Sequence, residues 1–410
     1  GGGFGVSVTP AGDTASGDDT SGGSTPEQAP LVTLSGVVDT GQTSCYGTVG
    51  EIADPLPGAA FYGQDAQYQS LPMLYYDNGD GTVTDMSTGL MWQQDPGDKM
   101  YWSAAVSGAS GFRLAGYDDW RLPTIKEMYS LIDFNGSTGM SAGESVPYIN
   151  TDYFYFEYGD TSAGERFIDS QFATSTEYVS TTMGDSATMF GVNFADGRIK
   201  GYPRNNKLFY VLYVRGETGY GVNNFTDNGD GSIADQATGL MWMQTDSGFY
   251  GAGTNADGAM TWQEALAWAD GLEHAGYNDW RLPNAKELQG IVDYTRSPAT
   301  TGSAAIDPIF ACSTIIDEGG NTNYPFYWTG TTHLDGVVKG AAAVYIAFGK
   351  ALGWMYSPWD GYQLQDVHGA GAQRSDPKIG DPADYPYGFG PQGDVRRIYN
   401  YVRCVRNSGY

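Results

Sequence analysis

The feature that most constrains this chain is an internal duplication. Residues 117–127 read Tyr-Asp-Asp-Trp-Arg-Leu-Pro-Thr-Ile-Lys-Glu, and residues 277–287 repeat nearly the same letters 160 positions later. A second block, residues 77–92, contains an Asp-Asn-Gly-Asp-Gly turn and ends in Thr-Gly-Leu-Met-Trp; it returns as residues 227–242. Solenoid repeats are only about 20–50 residues long. The larger offsets therefore indicate two tandem copies of a whole domain.

The duplication divides the 410 residues into four segments. We assign residues 1–30 to a low-complexity tail, 31–70 to an extended arm, 71–218 to repeat one and 219–410 to repeat two. The tail has almost no apolar residues after Val8 and no Lys or Arg, so it cannot bury enough surface to offset its ordering entropy. We expect it to become ordered only against its own domains or when clamped by a neighbouring chain.

The charge balance excludes several classes of partner. The chain has 21 Lys and Arg against 48 Asp and Glu, a net charge of −27. We expect no nucleic-acid partner, because binding of nucleic acid rests on Lys and Arg neutralising phosphate.

No run of about 18 apolar residues is present, so we also expect no transmembrane segment. Abundant Tyr and Gly with few Lys favour a rigid, loop-rich extracellular β protein over a cytosolic enzyme. The start at Gly1 is consistent with a removed export signal or with a trimmed chain.

Each repeat is predicted to contain a hairpin, two helices and then a β-rich half. The Asp-Gly pairs of the turns are typical of β-hairpins. Gly108 and Gly111 interrupt the first helix of repeat one, so we expect it to be shorter than its counterpart. Three capping boxes, each with Glu three residues after a Thr or Asn, predict helix starts at Thr124 with Glu127, Thr261 with Glu264, and Asn284 with Glu287.

The β-rich half is predicted from matched stretches in the two copies. The pairs are 171–176 with 326–331, 189–194 with 343–348, and 207–215 with 398–406. Residues 354–391 have no match of that length in repeat one and are predicted to form a long irregular loop. Since such loops commonly carry binding surfaces, we select Trp354, Tyr356, Trp359 and Tyr362 as candidate contact residues.

The Asp-Asn-Gly-Asp-Gly turns suggest a calcium site. Calcium takes several oxygen ligands from closely spaced carboxylates and carbonyls. The alternative is a hairpin turn whose Asp and Asn side chains bond their own backbone. The candidate ligands are Asp77, Asn78, Asp80 and Asp85 in repeat one, with Asp227, Asn228, Asp230 and Asp235 in repeat two.

The Trp-Arg pairs have two interpretations. Trp120 with Arg121, and Trp280 with Arg281, can form a ligand shelf by cation–π stacking, or they can belong to the core. In the core interpretation, each arginine pairs with a nearby acid such as Asp119 or Asp279.

The three cysteines match no metal site and no CxxC redox pair. We expect a disulfide between Cys312 and Cys404, because both lie in repeat two, which leaves Cys45 unassigned. The three histidines, His274, His333 and His368, are not in metal-ligand spacing or near an evident nucleophile, so we expect no enzymatic activity.

The repeated blocks resemble the Lcl C-terminal domain family, found at the end of a bacterial collagen-like adhesin. The resemblance is carried by residues 77–85, 88–92, 120–127 and 401–406, with residues 61–68 as a lead-in. It implies an α+β fold of two tandem C-type-lectin-like domains, bacterial export and surface attachment. The sugar-binding triplets of C-type lectins, Glu-Pro-Asn and Gln-Pro-Asp, are absent.

Two functions from different classes remain. The first is a self-assembling structural subunit of an extracellular filament or surface layer, whose tail and arm dock on a neighbouring subunit. The second is an adhesin that binds a glycan or another surface through the long loops of repeat two.

Overall fold

Each repeat opens with an antiparallel hairpin that turns at the Asp-Asn-Gly-Asp-Gly sequence, as predicted. The structure is a computed structural model that describes residues 36–409. The tail, residues 1–30, lies outside the described residues. Gly79, Gly81, Gly229 and Gly231 have positive φ, which explains why these turns contain glycine.

The arm and repeat one contain the first twelve strands and the first two helices. They are β1 (Cys45–Tyr46), β2 (Glu51–Ile52), β3 (Tyr75–Asp77), β4 (Thr82–Asp85), β5 (Met91–Gln93), β6 (Met100–Tyr101), α1 (Trp102–Gly108), α2 (Ile125–Ser130), β7 (Gln171–Phe172), β8 (Glu177–Thr182), β9 (Ser186–Asn193), β10 (Arg198–Pro203), β11 (Leu208–Phe209) and β12 (Val214–Arg215).

Repeat two contains eleven further strands and two helices. They are β13 (Phe225–Asp227), β14 (Ser232–Asp235), β15 (Leu240–Met243), α3 (Trp262–Asp270), α4 (Ala285–Gly290), β16 (Ile315–Ile316), β17 (Thr322–Asn323), β18 (Phe326–His333), β19 (Ala342–Ala347), β20 (Leu352–Ser357), β21 (Gly361–Asp366), β22 (Gln373–Pro377) and β23 (Val405–Asn407). The mixture of helix and sheet agrees with the predicted α+β class.

The helix starts are those that the sequence predicted. Thr124, Thr261 and Asn284 each accept a hydrogen bond from the backbone N–H of the Glu three residues later, and all three capping boxes are complete. Helix α1 has seven residues and α3 has nine, which confirms the shorter helix in repeat one. Helices α2, α3 and α4 each bury an apolar face.

In both repeats the last strand returns to the opening hairpin. The sheet of repeat one has the order β12-β5-β4-β3, and that of repeat two has the order β13-β14-β15-β23. Val214 lies opposite Trp92 in the first sheet, and Val405 lies opposite Trp242 in the second. The start and end of each repeat are thereby held together around a fully buried tryptophan.

The two repeats share one large sheet. Its order is β18-β19-β22-β10-β9-β7, with β8 also paired to β9, so three strands come from repeat two and four from repeat one. The copies meet where Ile199 of β10 lies opposite Gln373 of β22. One hydrophobic cluster contains core residues of both copies, including Trp92 and Trp242. The duplicated halves therefore form one fused scaffold.

The described part of the arm, residues 36–70, packs against its own chain, although the sequence led us to expect that the arm docks on a neighbouring subunit. Gln42 binds the edge strand β18 as a peptide would: its Nε2 donates to the carbonyl of Thr332, and its Oε1 accepts from the Thr332 N–H, both at 2.8 Å. Val38, Thr40 and Cys45 are buried. The described part of the arm therefore closes a sheet edge that would otherwise be open to another chain.

Residues 354–391 are not an irregular loop. They contain most of the β20–β21 hairpin, which has no counterpart in repeat one, and then β22, an internal strand of the shared sheet. Because β22 is Gln-Arg-Ser-Asp-Pro, its letters lack the alternation that marks a strand.

The predicted Cys312–Cys404 disulfide is absent. All three cysteines are free thiols. Cys404 is packed in the hydrophobic cluster around Trp262, whereas Cys312 packs against the shared cluster and its Sγ accepts a hydrogen bond from Arg403 Nη2 at 3.3 Å. The two thiols pack in different hydrophobic clusters, and for this reason they do not meet although both belong to repeat two.

Within residues 36–409, every helix is too short or too polar to cross a membrane.

Candidate functional site

The Trp-Arg pairs lie in the scaffold. Trp120 and Trp280 are almost completely buried. Arg281 makes a two-pronged ion pair with Glu287, with Nη1 and Nη2 at 2.7 and 2.8 Å from the two carboxylate oxygens. Arg121 pairs with Glu127 in the same way. The guanidinium groups thus bind the capping-box glutamates that follow the Leu-Pro turn.

The neighbouring aspartates have other partners, so the expected pairing was wrong. Asp119 binds Arg215, and Asp279 binds Arg406. Each of these arginines lies on the last strand of its repeat and stacks on a tyrosine, at 3.7 Å from the ring centroid of Tyr277 in the case of Arg406. These ion pairs connect the last strand of each repeat to the repeated segment at residues 117–127 or 277–287.

The hairpin turns use their carboxylates internally. Asp77 accepts from the Gly79 N–H at 2.8 Å, and Asp80 accepts from both the N–H and the hydroxyl of Thr82. In repeat two, Asp227 and Asp230 make the same bonds to Gly229 and Ser232, and Asn228 Nδ2 donates to the Ser232 hydroxyl as Asn78 does to Thr82.

Asp85 and Asp235 hold the turns that follow the hairpins. Asp85 accepts from the N–H groups of Ser87 and Thr88, and Asp235 accepts from Asn224 and Ala237. No group of three or more His, Cys, Asp or Glu side chains is placed to hold a metal ion anywhere in residues 36–409. The donor set fits a self-bonded turn, and we assign it no calcium chemistry.

Three of the four candidate contact residues on the β20–β21 hairpin, Trp354, Tyr356 and Tyr362, form a continuous aromatic surface together with Tyr387. The ring of Tyr387 stacks on Tyr362, with centroids 4.0 Å apart and planes 14° apart. Tyr362 in turn contacts Tyr356 at 5.3 Å, and Tyr387 contacts Trp354 at 6.1 Å. We call these four residues, Trp354, Tyr387, Tyr362 and Tyr356, the aromatic ladder.

The ladder faces solvent along most of its length. Tyr356 is 66% exposed, and Trp359, at the hairpin tip, is 91% exposed. Aromatic rings of this size are usually buried, and a contiguous exposed group marks a contact surface. The hairpin is the segment that repeat one lacks, so this surface belongs to repeat two alone.

A cleft of about 640 Å³ adjoins the ladder at Trp354, which is half-buried. Trp354 lines it together with the aromatic residues Phe326, Tyr385, Tyr399 and Tyr401, and its charged lining residues are Asp257, Glu318, Arg396 and Arg397. Cavities of about 300–1,000 Å³ with apolar walls and a few polar groups are the usual form of ligand sites.

Arg396 and Arg397 lie in one wall of the cleft, and ion pairs of Asp394 and Arg397 hold this wall in place. Asp394 binds Arg374 and His368, and although burial alone would raise it, these two partners hold the pKa of Asp394 well below its usual range. Arg397 makes two bonds to Glu318, at 2.9 and 3.1 Å, and lies over the ring of Phe326. Gly393 has φ +59° and lies so close to the Trp354 carbonyl that a Cβ would clash.

Two of the three histidines are buried, and His274 is half-buried. His333 is buried between the repeats, where it contacts the Ser375 hydroxyl and the Asp196 carbonyl. Burial lowers the pKa of His333 to about 3 and that of His368 to about 4, so both are neutral at pH 7. His274 contacts Tyr250 and the Gly231 carbonyl.

Sequence reasoning named some of the residues of this candidate surface. Trp354, Tyr356, Trp359 and Tyr362 are together on the hairpin, whereas Tyr385, Tyr387 and Arg396 were missed. The missed residues lie in the Tyr-Pro-Tyr-Gly-Phe-Gly stretch and just before the last strand. An aromatic-rich stretch next to a polar strand was the available signal.

The comparison with known proteins identifies the two copies. Residues 81–215 and residues 231–360 each match the model of the Lcl C-terminal domain. No curated protein and no solved structure matches the chain.

Proposed function

The chain belongs to the Lcl C-terminal domain family, and from that premise we propose that it is a non-enzymatic, exported bacterial surface adhesin that binds glycans through repeat two. The family match supports an adhesin-like protein with tandem domains. The observation that supports a glycan in particular is the exposed aromatic ladder beside an aromatic-walled cleft. Rings bind the apolar faces of sugars, and the cleft supplies polar groups that can orient hydroxyls.

A binding comparison tests this function. The full chain is applied to immobilised oligosaccharides, together with Tyr362→Ala and Trp359→Ala. We expect both variants to lose at least tenfold in affinity, because each removes one exposed ring. Tyr155→Ala is the matched control, since Tyr155 of repeat one is 62% exposed, between Tyr362 at 44% and Trp359 at 91%. Equal binding by all four proteins, or binding by none of them, would refute the proposal.

A second candidate, self-assembly into a filament or surface layer, is favoured by an aliphatic patch. Val49 of the arm and Val337 of the loop after β18 are 83% and 84% exposed, and both line one depression with Val338 and Leu334. Exposed apolar groups at this density commonly mark protein contacts.

Assembly is tested by light scattering and negative-stain microscopy of the full chain against Val337→Asp. Regular polymers that the substitution abolishes would support assembly. A monomer over the whole concentration range would refute it and leave the adhesin proposal standing. A variant that lacks residues 1–30 separates the contribution of the tail from that of the patch.

A further inference from the structure

The cleft contains an unpaired guanidinium. Arg396 is the one arginine within residues 36–409 to which the structure gives neither a hydrogen bond nor an ion pair. Each of the other twelve arginines in that range donates at least one hydrogen bond, and most bind a carboxylate. In a chain with net charge −27, a guanidinium that donates to no carboxylate is unexpected. The charge of Arg396 acts without a direct bond on the buried Asp376, where it opposes the rise in pKa that burial causes.

Aromatic rings hold this guanidinium in place. Its central carbon lies 3.7 Å from the ring centroid of Phe389 and 4.7 Å from that of Tyr385. Stacking leaves the N–H groups at the edge of the guanidinium free to donate, and this fork matches a carboxylate. The flanking residues Asp394 and Arg397 are themselves fixed by ion pairs, so little side-chain or loop entropy remains to be lost on binding.

The charges of the other residues that line the cleft are compatible with the binding of a single anion. Glu318 is neutralised by Arg397. Asp257 has no ion pair, and its carboxylate accepts from the Ala259 N–H at 3.0 Å. One cation and one carboxylate of the lining have no ion pair, and this balance fits a ligand with an isolated negative charge. A densely charged polyanion does not fit, because the remaining surface repels it.

We propose that the cleft binds a sugar unit bearing a carboxylate, which pairs with Arg396 while the rings of Tyr385 and Trp354 contact the sugar faces. The proposal rests on the glycan-binding function and names its ligand class. A single charge-assisted pair in a partly buried cleft contributes a factor of about 10 to 100 in affinity.

The test is calorimetric titration of the full chain with two oligosaccharides of equal length, a neutral oligogalactose and the same oligogalactose with a single galacturonate unit at its non-reducing end. We expect the singly charged sugar to bind at least tenfold more tightly, and Arg396→Gln to remove that difference without weakening the neutral sugar. Asp257→Asn should strengthen binding of the acidic sugar. Arg113→Gln, which removes an exposed charge in repeat one, is the control and should change neither affinity.

The outcomes separate this inference from the proposed function. If both sugars bind equally and Arg396→Gln has no effect, the carboxylate inference is wrong and the adhesin proposal survives. If neither sugar binds, and no other immobilised glycan does, both fail. Unchanged circular dichroism and melting temperature of Arg396→Gln would show that a loss of binding is not a loss of folding.

Discussion

Lys126 and Lys286 hold the two repeats together by the same bond made in opposite directions. Lys126, the second residue of α2, donates from Nζ to the carbonyl of Gly290, the last residue of α4, at 2.6 Å. Lys286, the second residue of α4, donates to the carbonyl of Ser130, the last residue of α2, at 2.8 Å. Each lysine therefore caps the C-terminus of the other repeat's helix. The two copies pack as equivalent partners, with β10 and β22 paired between them.

Removing either lysine should destabilise the whole molecule. Lys286→Met leaves the carbonyls of Ser130 and Asp39 without their donor, and we expect a loss of about 1–3 kcal/mol in the free energy of unfolding. Lys126→Met should cost a similar amount. Lys207→Met is the control, because Lys207 donates no hydrogen bond in the structure. Urea unfolding measures all three, and an unchanged midpoint for Lys286→Met would contradict the reciprocal capping.

The two Arg–Glu pairs should differ in strength. Arg281 and Glu287 are both buried, whereas Arg121 is about one quarter exposed. Breaking a buried pair leaves an uncompensated charge, so Glu287→Gln should cost about 3–5 kcal/mol. Glu127→Gln removes the same bonds beside solvent and should cost less. Thermal unfolding of the two variants gives the comparison; equal losses would show that burial does not set the strength of these pairs.

Asp65 should make stability fall as the pH rises. Burial raises the pKa of Asp65 to about 7, against hydrogen bonds from the hydroxyls of Thr331 and Thr40. The folded state then binds a proton that the unfolded chain releases above about pH 4, so the stability is lost as the pH rises through 7. Asp65→Asn should remove about 2–3 kcal/mol of the change between pH 5 and pH 8. Parallel pH profiles for the variant and the original chain would contradict this assignment.

The hairpin turns should be indifferent to calcium. Asp80 and Asp230 already accept bonds from their own turns, so we expect the same melting temperature in EDTA and in millimolar calcium. Asp80→Ala should cost about 1 kcal/mol in either condition, from the lost turn bonds. A calcium-dependent rise in melting temperature that Asp80→Ala abolishes would restore the metal interpretation.

Local signals in the sequence predicted local structure well. The capping boxes at Thr124 and Asn284 were legible because donor and acceptor lie three residues apart. The same short-range reasoning gave the wrong partners for Arg121 and Arg281. It paired them with Asp119 and Asp279, which stand two residues earlier in the sequence. The true partners, Glu127 and Glu287, project back from the first turn of the helix that follows.

Two features could not be predicted from the sequence: the contact between the two repeats, and the cleft beside the aromatic ladder. The pairing of Ile199 with Gln373 joins residues 174 positions apart, and the letters of β22 carry no strand pattern. Lys126 and Lys286 look like exposed helix residues until the partner helix is in place. Among the arginines within residues 36–409, Arg396 likewise differs only in having neither a hydrogen bond nor an ion pair. A sequence pattern does not show this difference.

Oxidative footprinting with and without a bound oligosaccharide tests the central claim most directly, because it locates the contact surface by side chain. We predict protection of Trp359, Tyr362 and Tyr387 on ligand binding, with no change at the exposed tyrosines of repeat one, Tyr76, Tyr101 and Tyr155. Protection of the repeat-one tyrosines, with the ladder still fully reactive, would contradict the assignment of recognition to repeat two.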